Sequence, residues 1–172
     1  IDRTHAHLNM PATLLFAPDY AQQSASLRFE LPDARWKVAT QLQLQADGSY
    51  MAPDLQYLMD SPVELSAHSL RSWKVADQYS EATIHLALHH QGTEQQLDTL
   101  TEKAKAVVAE QQKIFGEYPQ FDYGQYVFIA DYLTYVDGDG MAEQQLARCL
   151  VLDRVERESA ADPGTGAHGR ET

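Results

Sequence analysis

From Thr4 to about His90 apolar and polar residues alternate in short runs broken by turn residues, and no apolar repeat of helical period competes with that pattern. It predicts strands at Thr4–Asn9, Thr13–Phe16, Ser26–Glu30, Trp36–Leu44, Ser49–Met51, Glu64–His68, Leu70–Val75 and Ala82–His89. Turns are expected at Pro18-Asp19, Leu31-Pro32-Asp33, Asp47-Gly48, Pro53-Asp54 and Asp60-Ser61-Pro62, with one helical turn at Leu55–Met59.

The pattern then changes period. Leu97, Leu100, Ala104, Val107, Val108, Ile114 and Phe115 recur at three- and four-residue spacing, which predicts an amphipathic helix over residues 93–115. Thr93 and Gln96 fit a capping box, in which each side chain reaches a backbone N–H that the first turn leaves unpaired. Gly116 suits the left-handed residue after the helix, and Tyr118-Pro119 prevents continuation. The aromatic and β-branched run Gln125–Leu133 reads as a strand. The expected fold class is α+β: a mostly antiparallel β-domain, then a long amphipathic helix and a further strand.

Composition adds a boundary and some exclusions. Every Phe, Trp, Tyr and Lys lies at or before Tyr135, so the chain beyond it is of a different kind. There Glu143–Glu158 has a rough helical register, and Asp162-Pro-Gly-Thr-Gly-Ala-His-Gly reads as a disordered end. The net charge of -12 repels phosphate backbones and anionic lipid, which argues against nucleic acid and membrane surfaces as partners. No stretch approaches the ~20 apolar residues of a membrane span, and Ile1-Asp-Arg-Thr lacks the features of a signal peptide, so the compartment stays open. The single cysteine, Cys149, excludes an intramolecular disulfide.

Candidate chemistry is sparse. His85 and His89 have the spacing of a helical zinc pair, but they fall on an alternating strand, where four residues span roughly 13 Å. His5 and His7 share a strand face, yet the pair is one or two ligands short and no partner carboxylate is evident nearby. His89-His90 reads as a strand end. Asp137-Gly-Asp-Gly lacks the later acidic ligand of a calcium loop, since Arg148 stands there, and reads as a turn. No Gly-x-Ser-x-Gly elbow and no Gly-rich phosphate cradle occur. The expectation is no catalytic residue and no metal ligand set in this chain.

Four segments, in order, resemble the glycyl aminopeptidase family. These are zinc metallopeptidases that usually carry a PDZ domain, with a catalytic half similar to thermolysin and aminopeptidase N. Trp36-Lys-Val-Ala-Thr-Gln-Leu42 resembles the family's Trp-x-Val-Ala-Thr-x-Leu strand. Tyr57-Leu-Met-Asp-Ser-Pro-Val-Glu64 resembles its Leu-x-Asp-Ser-Pro turn. Phe115-Gly-Glu-Tyr-Pro119 follows the helix, and Tyr126-Val-Phe-Ile129 leads toward Gly140-Met141. The likeness covers roughly residues 26–141.

The resemblance implies a division into residues 1–80, the later part of an N-terminal β-domain, residues 81–141, the opening of a catalytic domain, and residues 142–172, an atypical tail that is either disordered or translated out of frame. In the family, a glutamate after Gly-Met or Gly-Leu anchors the free α-amine of a peptide by a charge-assisted hydrogen bond. Here Gly140, Met141 and Glu143 are the matching substrate-binding residues, with Ala142 inserted and the family's His-Arg pair absent. Glu143 is either that anchor across a backbone bulge or a solvated glutamate of an acidic helix. The family's zinc sits on a His-Glu-x-x-His helix that this sequence does not contain. The resemblance therefore implies a noncatalytic fragment without cofactor, drawn from a parent that acts on peptide substrates, with self-association through truncated surface. The alternative is a stand-alone module that pairs with a partner through strand edges at Ser26–Glu30 or Gln125–Leu133.

Overall fold

The structure is a computed structural model and describes residues 1–133. Where short runs alternate between turn residues, strands form: β1 (His5–Leu8), β2 (Ala25–Leu27), β3 (Lys37–Thr40), β4 (Gln43–Leu44), β5 (Tyr50–Ala52), β6 (Val63–Ser66), β7 (Ser69–Ala76) and β8 (Glu81–His90). Short helices α1 (Met10–Thr13) and α2 (Leu55–Met59) interrupt them, and the long helix α3 (Glu94–Phe115) precedes β9 (Gln125–Tyr132). The architecture is α+β, as the periodicity predicts.

Three small sheets result, ordered β1-β6-β3, β2-β5-β4 and β7-β8-β9. All pairs are antiparallel except β8 and β9, which run parallel. Parallel neighbours need a long crossover, and α3 supplies it. Among the described residues no helix is long and apolar enough to cross a membrane.

Two expected strands take another form. Thr13–Phe16 is not a strand: Pro11 favours the start of a helical turn, Thr13 Oγ1 donates to the Asn9 carbonyl at 2.6 Å, and Leu15 is fully exposed. Trp36–Leu44 is not continuous either. It splits at Gln41-Leu42 into β3 and β4, which belong to different sheets, and Leu42 turns into the main core with Met10, Ala52, Leu58, Val63 and Leu65.

Helix α3 is capped as its sequence demands. Gln96 N–H donates to Thr93 Oγ1 at 3.2 Å, Thr93 N–H donates to Gln96 Oε1 at 2.8 Å, and Gly116 takes φ +83°. Its buried stripe is shorter than the apolar periodicity suggests. Leu97, Thr101 and Ala104 are buried, whereas Ile114 and Phe115 are exposed. Arg71 on β7 ties the first turn down by donating to Glu94 at 2.7 Å and to Asp98 at 2.8 Å.

The first and third sheets meet directly. Buried Gln41 behaves like an extra rung of β9: its amide donates to the Gln125 carbonyl at 3.0 Å and accepts from Val127 N–H at 3.2 Å. Beside it, Ala39 of β3, Ala87 of β8 and Ile129 of β9 form a second, small apolar cluster.

Candidate functional site

The seam marked by Ala39, Ala87 and Ile129 continues into polar ground, and strand geometry dictates which residues appear there. Side chains two apart on a strand share a face. Ala87 therefore leads to His89, and Ile129 to Asp131, which is also the cross-strand partner of His89. On the facing sheet, Ala39 and His7 both pair with Glu64, and His5 pairs with Ser66. Three histidines and two carboxylates from β1, β6, β8 and β9 thus converge.

Their spacing is close. His89 Nδ1 lies 3.2 Å from Asp131 Oδ1, and His7 Nδ1 lies 3.4 Å from Glu64 Oε2 and 3.6 Å from Asp131 Oδ2. The rings of His5 and His89 stack at a centroid distance of 4.6 Å. On its outer side His5 Nδ1 lies 3.2 Å from Asp2 Oδ1. Two sets, His5–His89–Asp131 and His7–Glu64–Asp131, each hold three possible donor atoms within 4.8 Å of one another, with Asp131 common to both.

Glu64 is the least expected member. Its side chain has no solvent exposure, and neither carboxylate oxygen receives a hydrogen bond of ordinary geometry. Burial by itself would raise its pKa, but interactions with His7 and Ser66, and the charge of His5, outweigh that and hold it below the usual glutamate value. Asp131 shifts the other way. Burial, then repulsion from Glu64, push its carboxyl above the aspartate range, and the three histidines offset only part of this. Next to the cluster, buried His68 is driven down to about 4, by burial first and then by the charge of Lys37, whose ammonium donates to the His68 carbonyl.

The histidines singled out from sequence separate cleanly. His85 lies four residues along β8 from His89, with its Nδ1 2.8 Å from Ser72 Oγ; burial lowers its pKa. His90 Nε2 lies 3.4 Å from Ser69 Oγ. His89 joins His5 and His7, so the missing carboxylates of that pair are Glu64 and Asp131, supplied by strands distant in sequence. The available signal for Glu64 is a charged residue between Val63 and Leu65 in a strand. Asp131 gave none, since one aspartate at a strand end is ordinary. Gly140, Met141 and Glu143, together with Asp137-Gly-Asp-Gly, Cys149 and the Glu143–Glu158 register, lie outside the described residues.

With this geometry in view, the likenesses to known proteins can be placed. Residues 1–67 match the Peptidase M61 N-terminal domain, which takes in β1 through β6 and so the Glu64 side of the cluster. No curated protein sequence matches the chain. Its fold is similar to the crystal structure of an aminopeptidase N family protein from Idiomarina loihiensis, with a TM-score of 0.60 and 19% identity over 80% of this chain. The chain spans 23% of that protein's length. One likeness in sequence and one in fold support a relationship to a metallopeptidase-related family.

Proposed function

We propose that the chain is the β-domain and the opening of the catalytic domain of a zinc metallo-aminopeptidase of the glycyl aminopeptidase kind, a protein that removes small N-terminal residues from peptides. The observation that carries this reading is the match of residues 1–67 to the M61 N-terminal domain, accompanied by a fold likeness over 80% of the chain. On this reading the anchor for the substrate's α-amine follows Gly140-Met141: it is Glu143 where the tail is native, and a glutamate of another frame where the tail from residue 142 is out of frame.

The family's zinc requires two histidines four apart on a helix, with a glutamate between them as general base. Helix α3, the one long helix among the described residues, carries no histidine. Helix α3 does not supply that motif, so hydrolysis is assigned to the longer protein.

The test compares zinc content and release of N-terminal glycine or alanine from peptides by this chain and by its gene extended downstream. Activity confined to the extended protein is expected. Activity in the short chain overturns the noncatalytic reading, and an inactive, zinc-free extended protein overturns the peptidase reading. The coding DNA tests the tail: the frames after codon 141 should yield Glu-His-Arg or His-Glu-x-x-His.

A second reading keeps one observation in its favour. Among the described residues β2 and β9 are edge strands, β9 with Gln41 bonded to its edge at Gln125 and Val127, and an edge strand offers its remaining backbone groups to a partner strand. Stoichiometric capture of a different protein, abolished by proline at an outward N–H of β9, would favour it.

A further inference from the structure

We infer that His5, His89 and Asp131 form a binding site for one divalent transition-metal ion of the zinc class. The inference goes beyond the peptidase reading, because this site lies on the seam between two sheets and uses none of the residues that the family resemblance assigns. It also departs from the sequence-based expectation of a chain without metal ligands.

The donor set comes first. Two imidazoles and one carboxylate suit zinc, cobalt or nickel, whereas calcium and magnesium ask for oxygen donors throughout. Three protein donors with an open fourth position is a common zinc arrangement. A tetrahedral shell of this kind has ligand-to-ligand edges of about 3.3 Å. The His89 Nδ1 to Asp131 Oδ1 distance, 3.2 Å, already matches such an edge. The remaining donor atoms lie within 4.8 Å, so closing the shell asks for side-chain shifts of about 1 Å rather than movement of the strands.

The second shell is also present. Asp2 Oδ1 sits 3.2 Å from His5 Nδ1, which favours the proton on that nitrogen and leaves Nε2 as the nitrogen with a free lone pair. A carboxylate behind a ligating histidine fixes ring and tautomer in this way at many zinc sites. Ser66, Ala87 and Ile129 are buried around the seam and limit access of water.

Independent of the donor geometry is the charge balance. Glu64 is completely buried with neither oxygen hydrogen-bonded, and Asp131 lies beside it. Among the described residues no lysine or arginine pairs with either carboxylate. A buried carboxylate beside a half-buried one is costly without a permanent cation, and a dication ligated by Asp131 offsets that cost. His7, placed between Glu64 and Asp131, then orients the ligating carboxylate and is a positioning residue.

The experiment uses the full 172-residue chain, with Zn²⁺ or Co²⁺ alone as the probe. Calorimetry should give one ion per chain at micromolar affinity or tighter, and Co²⁺ should show the visible bands of a low-coordinate N/O site. His5→Gln and His89→Gln should each weaken binding by at least about tenfold, and Asp2→Asn by about tenfold through the second shell. His85→Gln and His168→Gln should leave it unchanged. A long-range ¹H–¹⁵N spectrum of the unmutated chain should show Zn²⁺ moving the imidazole nitrogens of His5 and His89, which keeps the test independent of whether any variant folds. The inference is overturned by affinity no better than about millimolar, by His5 and His89 signals that stay still, or by binding that only His7→Gln or His168→Gln removes. All three outcomes leave the peptidase reading untouched, since that reading is judged on the extended protein.

Discussion

Helix α3 and the seam between the first and third sheets are built with the same carboxylates under opposite conditions. On α3, Glu102 and Lys105 pair at 2.7 Å, Glu110 and Lys113 at 2.6 Å, and Arg71 reaches Glu94 and Asp98, all within reach of water. At the seam Glu64 has no solvent exposure, and its nearest counter-charge is a histidine at 3.4 Å. Water replaces any partner the helix loses; nothing replaces one lost at the seam. What a charge contributes is therefore set by burial and not by the number of its neighbours.

That contrast is sharpest at Glu64. Glu64→Lys puts a cation beside His5 and His7 at a position without solvent exposure, and should cost about 4 kcal/mol or more, enough to prevent folding of a domain of this size. Loss of the cooperative urea transition, followed by circular dichroism, is the expected readout. A variant as stable as the parent would show that the seam is open to solvent.

The next effect comes from acid. His68 is neutral when folded because its pKa lies near 4, against an ordinary 6.5 in the unfolded chain. The unfolded state takes up the proton first as pH falls. Stability is complete above pH 6.5 and drops progressively toward pH 4, by on the order of 3 kcal/mol. Urea midpoints measured across that range should flatten in His68→Asn. Glu64 works in a lower window: its depressed pKa gives stability present above the ordinary value of 4.5 and lost as pH falls through the folded one. A loss confined below pH 4.5 would assign the acid sensitivity to Glu64 instead.

Effects at the helix are smaller. Thr93→Ala removes the capping box and should cost about 1 kcal/mol, and Gly116→Ala, at φ +83°, should cost a similar amount through backbone strain. Both are measured as a shift of the urea midpoint at constant slope. Least of all, Glu102→Gln should leave that midpoint unchanged, because its pair with Lys105 lies in water. A measurable loss there would break the contrast from the other side.

The same division separates what was readable in advance. The capping box of α3, its glycine stop, the single turn at Leu55–Met59 and the alternation of β8 depend on residues within a few positions of each other, and each is present as expected. Alternation also placed His85 and His89 on one strand, as they are in β8. Local reasoning failed where tertiary packing competed with it. Leu42 left an apparently continuous strand to fill the core, and Ile114 and Phe115, apolar at the right spacing, remain exposed among the described residues.

The candidate site lay beyond that reach altogether. His5 and His7 were visible as two imidazoles on one face, yet no residue near them in sequence completes the set.

Sequence alone determined the α+β class, the long capped helix, the excess of negative charge and the absence of a helical zinc motif, because periodicity, caps and composition are properties of neighbouring residues. Only the tertiary structure decided that β9 runs parallel to β8, and that β1, β6, β8 and β9 gather His5, His7, Glu64, His89 and Asp131 at one seam. The reason is physical: which strands face each other follows from how the whole chain buries its apolar surface, and no short stretch of it carries that information.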